Sequence, residues 1–191
     1  MEKHIYLMRH GEKYNKLVDL GLIKNIDETR LDGLSDRGFQ QADTTANFFK
    51  NIKNKNCPKG EVFDYLYSSP LKRALQTADF FSKKLGMELN VCNFLEEFED
   101  GLSMVEYIKL GEAVLKDLLE LDGQNNIVVT HSILIKVLFV IISGIELKNS
   151  ENLFSKLPTP HCSINKIDYY NEKWYVGTIN SGFHLGELFP T

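Results

Sequence analysis

Ile5-Tyr6-Leu7-Met8-Arg9-His10-Gly11-Glu12 is the stretch on which the fold turns. Its first four residues are an apolar run with the composition of a short buried strand. Its last four are polar and include a glycine, so an arginine and a histidine stand just past the strand's carboxyl end. In open α/β sheets that edge is where ligands bind. A histidine there can be a nucleophile, a metal ligand or a general base. The neighbouring arginine narrows the choice, because a fixed guanidinium disfavours a divalent metal but holds phosphate through paired hydrogen bonds.

Two further strands follow the same pattern, Tyr65–Tyr67 and Ile127–Thr130, and Leu89–Val91 is also strand-like. Helical spacing follows each strong strand. After Ser35, a predicted N-cap, Phe39, Ala42, Ala46 and Phe49 recur on one face. Pro70 suits a first helical position, with Leu71, Ala74, Leu75, Ala78 and Phe81 on the following stripe. A third helix is predicted from Ser103 to Leu121, and a fourth from Ser132 to about Ser143-Gly144. Strands alternating with helices imply a mostly parallel sheet covered on both faces. Ile164–Tyr170, Asn171-Glu172 and Lys173–Asn180 read as a hairpin on one edge. The expected fold is α/β, a three-layer sandwich with a mostly parallel mixed sheet flanked by helices, in a single domain over residues 1–191. Lys13–Leu34 and Phe98–Leu110 have weaker periodicity and are expected to loop over the sheet's ligand edge.

Composition excludes several classes. Hydrophobic residues make up 43% and charged residues 25% of the chain, which does not suit a disordered or fibrous protein. A net charge of −4 supplies no broad basic surface, so neither nucleic acid nor an anionic membrane is the expected partner. Cys57, Cys92 and Cys162 form no CxxC pair and fit a reducing compartment. The opening Met1-Glu2-Lys3-His4 has no signal-peptide organisation. The longest apolar run, Ile133–Ile142, contains Lys136 and is too short to span a bilayer, so it reads as a buried helix. A soluble, cytoplasmic protein is expected.

Polar residues stand at two more strand ends. Ser68-Ser69-Pro70-Leu71-Lys72-Arg73 puts Arg73 in the first turn of a helix, where free N–H groups and the macrodipole already attract anions. Thr77, four residues on, is placed to buttress the Arg73 side chain. His131 closes Ile127-Val128-Val129-Thr130 at a strand-to-helix junction. Singly, such residues are usually a solvated arginine and a structural histidine. At the carboxyl ends of parallel strands they share one edge and can converge. The sequence has no HExxH or HxH spacing for a metal, no Walker-type loop and no Gly-rich dinucleotide loop.

Four ordered segments carry a family resemblance: Arg9-His10-Gly11-Glu12, Leu34 to Ala42, Ser68 to Ala78, and Val128-Val129-Thr130-His131-Ser132. Together they resemble the histidine phosphatase, or phosphoglycerate-mutase-like, superfamily. The resemblance implies that His10 is a nucleophile forming a phosphohistidine, and that Arg9, Arg73 and His131 bind the phosphoryl oxygens. It also implies a carboxyl proton donor, which Leu95-Glu96-Glu97-Phe98-Glu99-Asp100-Gly101 supplies as Glu97, with Glu96 and Glu99 as alternatives.

The chain departs from the family pattern in places. Lys13, Tyr14 and Asn15 follow the first motif, where many members carry Ser or Thr. Lys13 and Asn15 are therefore candidate pocket residues, Lys13 either extending the positive charge or pointing to solvent. Ser132 stands where Gly is common and is expected to cap a helix. His161 can reach the pocket rim, while His4 and His184 read as structural. Tyr14, Phe98 and Tyr107 can line an apolar pocket. The implied activity is a metal-independent hydrolase without cofactor, acting on a small phosphorylated metabolite or other phosphate monoester. A phosphoglycerate mutase-type transfer and a non-catalytic phosphate-binding regulatory domain are the alternatives, and the compact chain favours hydrolysis.

Overall fold

β1, Lys3–Arg9, buries Ile5 and Leu7 on one face of the sheet and Met8 on the other, the alternation that a strand covered on both sides requires. In the computed structural model, which describes residues 1–14, 32–55 and 63–189, it belongs to a six-stranded sheet of order β3-β2-β4-β1-β5-β6. β2 (Tyr65–Ser68), β3 (Leu89–Val91) and β4 (Asn125–Thr130) run parallel to β1. β5 (Ile164–Tyr170) and β6 (Lys173–Ser181) are antiparallel and make the expected edge hairpin. Its two-residue turn, Asn171-Glu172, has φ of 50° and 61°, the left-handed pair that matches strand twist.

Two helical layers enclose the sheet. On one face, α1 (Asp36–Lys55) and α2 (Lys72–Leu85) pack Ala46, Phe49, Ala78 and Phe81 onto Met8, Leu66, Ile127 and Val129. On the other, α3 (Met104–Glu120) and α4 (Ser132–Ile142) pack Leu118, Leu134, Ile135 and Leu138 onto Ile5, Leu7 and Val128. Burying one such Leu, Ile or Phe is worth about 1.5–3 kcal/mol. The fold is thus the mixed-sheet α/β sandwich that the strand–helix alternation predicts. Among the described residues, no helix is long and apolar enough to cross a membrane.

Local departures have local causes. α2 starts at Lys72, two residues later than Pro70 suggested, because the Ser69 hydroxyl accepts a bond from the Leu71 N–H and holds an extended turn first. Ser132 does not cap α4. His131 takes the cap position, and the Ser132 hydroxyl bonds that of Thr159. Phe98–Leu110 is not one loop, since a capping box between Ser103 and Glu106 starts α3 at Met104. α5 (Leu147–Lys156) had no counterpart in the sequence reading; its polar composition hides a short apolar face on which Phe154 stacks against Tyr107. Asn15, Cys57 and most of the Lys13–Leu34 segment lie outside the described residues. Cys92 and Cys162 are free thiols.

Candidate active site

The backbone ladders continue past the strand ends and fix the residues that follow. His10 N–H donates to Thr130 O at 3.0 Å, Ser69 N–H to Val129 O at 3.0 Å, and Cys92 N–H to Ser68 O at 2.9 Å. The loop after β1 is held as tightly from outside. Gly11 N–H donates to Thr77 Oγ1 at 3.0 Å, and Glu12 N–H to Gln41 Oε1 at 2.9 Å. A Cβ on Gly11 would stand 2.5 Å from Gly38 O, and one on Gly38 would stand 2.1 Å from Glu12 O. Only two glycines let the loop and the first turn of α1 approach this closely. Thr77 also donates to the Arg73 carbonyl, so it ties the loop to α2 instead of buttressing the arginine side chain.

These contacts set the state of His10, which is 2% exposed. Its Nδ1 is 2.7 Å from Gly11 O, and a carbonyl can only accept, so Nδ1 carries the proton. Its Nε2 is 3.1 Å from Arg73 Nε, which can only donate, so Nε2 keeps its lone pair. Arg73 is itself buried and places Nη1 2.6 Å from Asp32 Oδ1. Arg9 donates from Nη1 to Thr159 O at 2.7 Å, while its buried Nε has no partner.

His131 lies beside His10, with ring centroids 5.2 Å apart. Its Nε2 bonds Ser69 Oγ at 2.7 Å. Its Nδ1 is buried without a partner, 3.8 Å from Glu97 Oε2, which is too far for a hydrogen bond. The other Glu97 oxygen accepts from Ile133 N–H at 2.9 Å, at the amino end of α4. Glu96 and Glu99 are exposed, so Glu97 is the carboxyl of the three that faces His131.

Electrostatics follow from burial among cations. Desolvation, then His131, Arg9 and His161, hold the His10 imidazole well below the ordinary histidine value of 6.5. Desolvation and the charges of Arg73, Arg9 and Lys13 bring His131 down to about 3. Burial raises Glu97 against the Ile133 N–H and the two arginines, which act to lower it. The site therefore combines two guanidiniums, a neutral imidazole unprotonated at Nε2, and a carboxyl whose pKa burial raises.

Arg9, His10, Arg73, Glu97 and His131, named from three strand ends and one loop, come together in one place. Lys13 is half-buried, bridges to Leu34, and is close enough for its charge to act on His131. His161 is 3% exposed with its ring 5.7 Å from that of His10, so it belongs to the buried site and not to a rim. Ser69 and Asp32 are also contact partners; Ser69 sat inside a quoted motif, whereas no signal marked Asp32. Tyr107 faces a cleft beside the site, with Phe98 stacked on it, while Tyr14 lines a separate pocket with Gln76. Among the described residues, no three His, Cys, Asp or Glu side chains are grouped to hold a metal ion.

The model of the histidine phosphatase superfamily, branch 1, matches residues 5–109 and 96–182. A protein of Hydrogenobacter thermophilus named putative phosphoserine phosphatase 2 is 27% identical, over 97% of this chain and 99% of its own length. Phosphoserine phosphatase from Entamoeba histolytica in complex with 3-phosphoglyceric acid superposes with a TM-score of 0.73 at 22% identity, covering 96% of this chain and 99% of that one. A mutant of the Entamoeba histolytica enzyme in complex with phosphoserine gives 0.71, with the same identity and coverage. Phosphoglycerate mutase from Bacillus anthracis gives 0.68 at 16% identity, covering 98% of this chain and 96% of that one. At these identities the solved structures establish the fold.

Proposed function

The chain belongs to the histidine phosphatase superfamily, and we propose that it hydrolyses the phosphate monoester of a small metabolite through a phosphohistidine on His10. One observation carries this reading. Two buried nitrogens beside the nucleophile, the Arg9 Nε–H and His131 Nδ1, lack partners. An unsatisfied buried donor costs about 1–3 kcal/mol. A phosphoryl group in front of His10 Nε2 gives the Arg9 Nε–H an anionic oxygen, lies within reach of the neutral His131 ring, and takes Arg73 as a second guanidinium contact.

The chemistry then needs positioning and charge stabilisation more than covalent machinery. His10 Nε2 attacks phosphorus in line with the ester oxygen, and the P–O bond breaks as the N–P bond forms. The departing alkoxide takes the proton of Glu97. The Nδ1–H bond to Gly11 O stabilises the positive charge that develops on the ring. Glu97, now a carboxylate, takes a proton from the water that attacks phosphorus. The N–P bond breaks, inorganic phosphate leaves, and Nε2 recovers its lone pair.

Phosphoserine is the substrate we place first, because it appears in the name of the Hydrogenobacter thermophilus relative. The test is release of inorganic phosphate from phosphoserine and 4-nitrophenyl phosphate, with alkaline trapping of the labelled enzyme. Alkali-stable, acid-labile label on wild type and none on folded His10→Ala is the expected result. Full turnover by His10→Ala overturns the covalent route. Conversion of 3-phosphoglycerate to 2-phosphoglycerate without phosphate release overturns hydrolysis.

A further inference from the structure

A cleft of about 420 Å3 opens beside the proposed acid. Ile133 joins the two places: its side chain lines the cleft, while its N–H holds Glu97. The chain also runs directly from Glu97 to Asp100 and Leu102 on the cleft wall. Tyr107 and Phe154 also line it, stacked with centroids 5.2 Å apart and 24° between planes. Lys136 follows Ile133 by three residues on α4, so both project to the same side of the helix. The Lys136 ammonium lies 5.3 Å from the Phe154 ring centroid.

We propose that this cleft receives the non-phosphoryl end of the substrate and that Lys136 binds a carboxylate on it. The inference rests on the phosphatase reading above and adds what that reading leaves open, the chemistry at the other end of the ester. Lys136 lines the cleft beside the Phe154 ring and makes no hydrogen bond or ion pair with another described residue, so its three N–H donors are open to a ligand there. Partial burial and the charge of Arg9 both work against its ammonium, opposed only by Glu97. A carboxylate arriving from solvent relieves that cost. Asp100 and Glu151 line the same cleft and oppose a dianionic second phosphate more strongly than a singly charged carboxylate, which favours a monocarboxylate over a bisphosphate or nucleotide. The aromatic walls suit a short carbon chain between the two anionic groups.

The discriminating measurement is a ratio. Phosphoserine and phosphoethanolamine differ by one carboxylate, so the quotient of their kcat/KM values isolates its recognition. Lys136→Met should reduce that quotient about 10- to 100-fold, the worth of one charge-assisted hydrogen bond. Lys136→Arg should restore much of it. The same comparison, made as Kd values on His10→Ala, reads binding without turnover and so survives a failure of the hydrolytic reading. A wild type that leaves 4-nitrophenyl phosphate intact sinks the phosphatase reading alone. A quotient unchanged by Lys136→Met in both formats, or an equal loss for both esters, overturns the role of Lys136.

Discussion

Arg73 grips Asp32 with Nη1 at 2.6 Å while its Nε donates to His10 at 3.1 Å. The guanidinium proposed to meet phosphate is thus already engaged by a carboxylate from the segment ahead of α1. The partners differ in exposure, with the Arg73 side chain 10% and the Asp32 side chain 52% accessible. Solvent screens the pair, and its worth is at most about 1 kcal/mol.

An arriving anion competes with Asp32 for Nη1. Asp32→Ala should therefore tighten competitive inhibition by inorganic phosphate or vanadate about 2- to 5-fold. Weaker inhibition in that variant would make Asp32 a partner of the bound anion instead of its rival.

Glu97 is raised above the ordinary carboxyl value mainly by burial, which suits a proton donor. Glu97→Gln should lower kcat for alkyl phosphates about 10²- to 10⁴-fold. Aryl phosphates with good leaving groups need little protonation and should lose much less in the first step. In wild type, kcat should fall as pH rises through the raised Glu97 value, and this basic limb should vanish in Glu97→Gln. Steady-state rates over a leaving-group series check both points.

Stability should fall as acid is added. Unfolded imidazoles take up protons near pH 6.5. Folded His10 resists protonation well below that value, His131 down to about 3, and His184 down to about 4. Between these limits the unfolded chain binds more protons, so stability present above pH 6.5 is lost as pH drops. Glu97 acts in the opposite sense but is one group against three. Calorimetry from pH 7.5 to 5 should show a falling Tm, and His184→Asn should flatten the slope. A Tm that climbs toward acid contradicts the assignment of neutral buried imidazoles.

Gly38 meets Glu12 O at a distance no Cβ tolerates. Its neighbours there are backbone atoms, so no rotamer change makes room. Gly38→Ala should cost about 1–3 kcal/mol, read from denaturant midpoints. It should also reduce turnover, because the displaced loop carries His10.

The layers of the fold were legible because long periodic stretches encode them. Alternating burial in β1 and the stripes of α1 and α2 leave the same trace in sequence as in space. The convergence of Arg9, Arg73 and His131 followed from topology, since parallel strands share a carboxyl edge. α5 was not legible, because Leu147–Lys156 is polar and gains its helical form by seating Phe154 on Tyr107. The Ser69–His131 bond and the depth of His161 depend on side-chain placement that no spacing rule carries. Lys136 was visible only as an oddity in an apolar run. Its meaning required knowing which face of α4 borders the cleft.

β1 has two partners in the sheet, β4 beginning at Asn125 and β5 beginning at Ile164. During synthesis a ribosome completes β1 on the order of ten seconds before the first of them exists, at roughly 5–20 residues per second. Throughout that interval Ile5, Leu7 and Met8 form an unpaired apolar ribbon, the kind of segment that chaperones shield. His10 meets Thr130, and Arg9 meets Cys162, only after β4 and then the segment ahead of β5 have emerged. The strand that carries the nucleophile is flanked on both sides only once β5 has emerged.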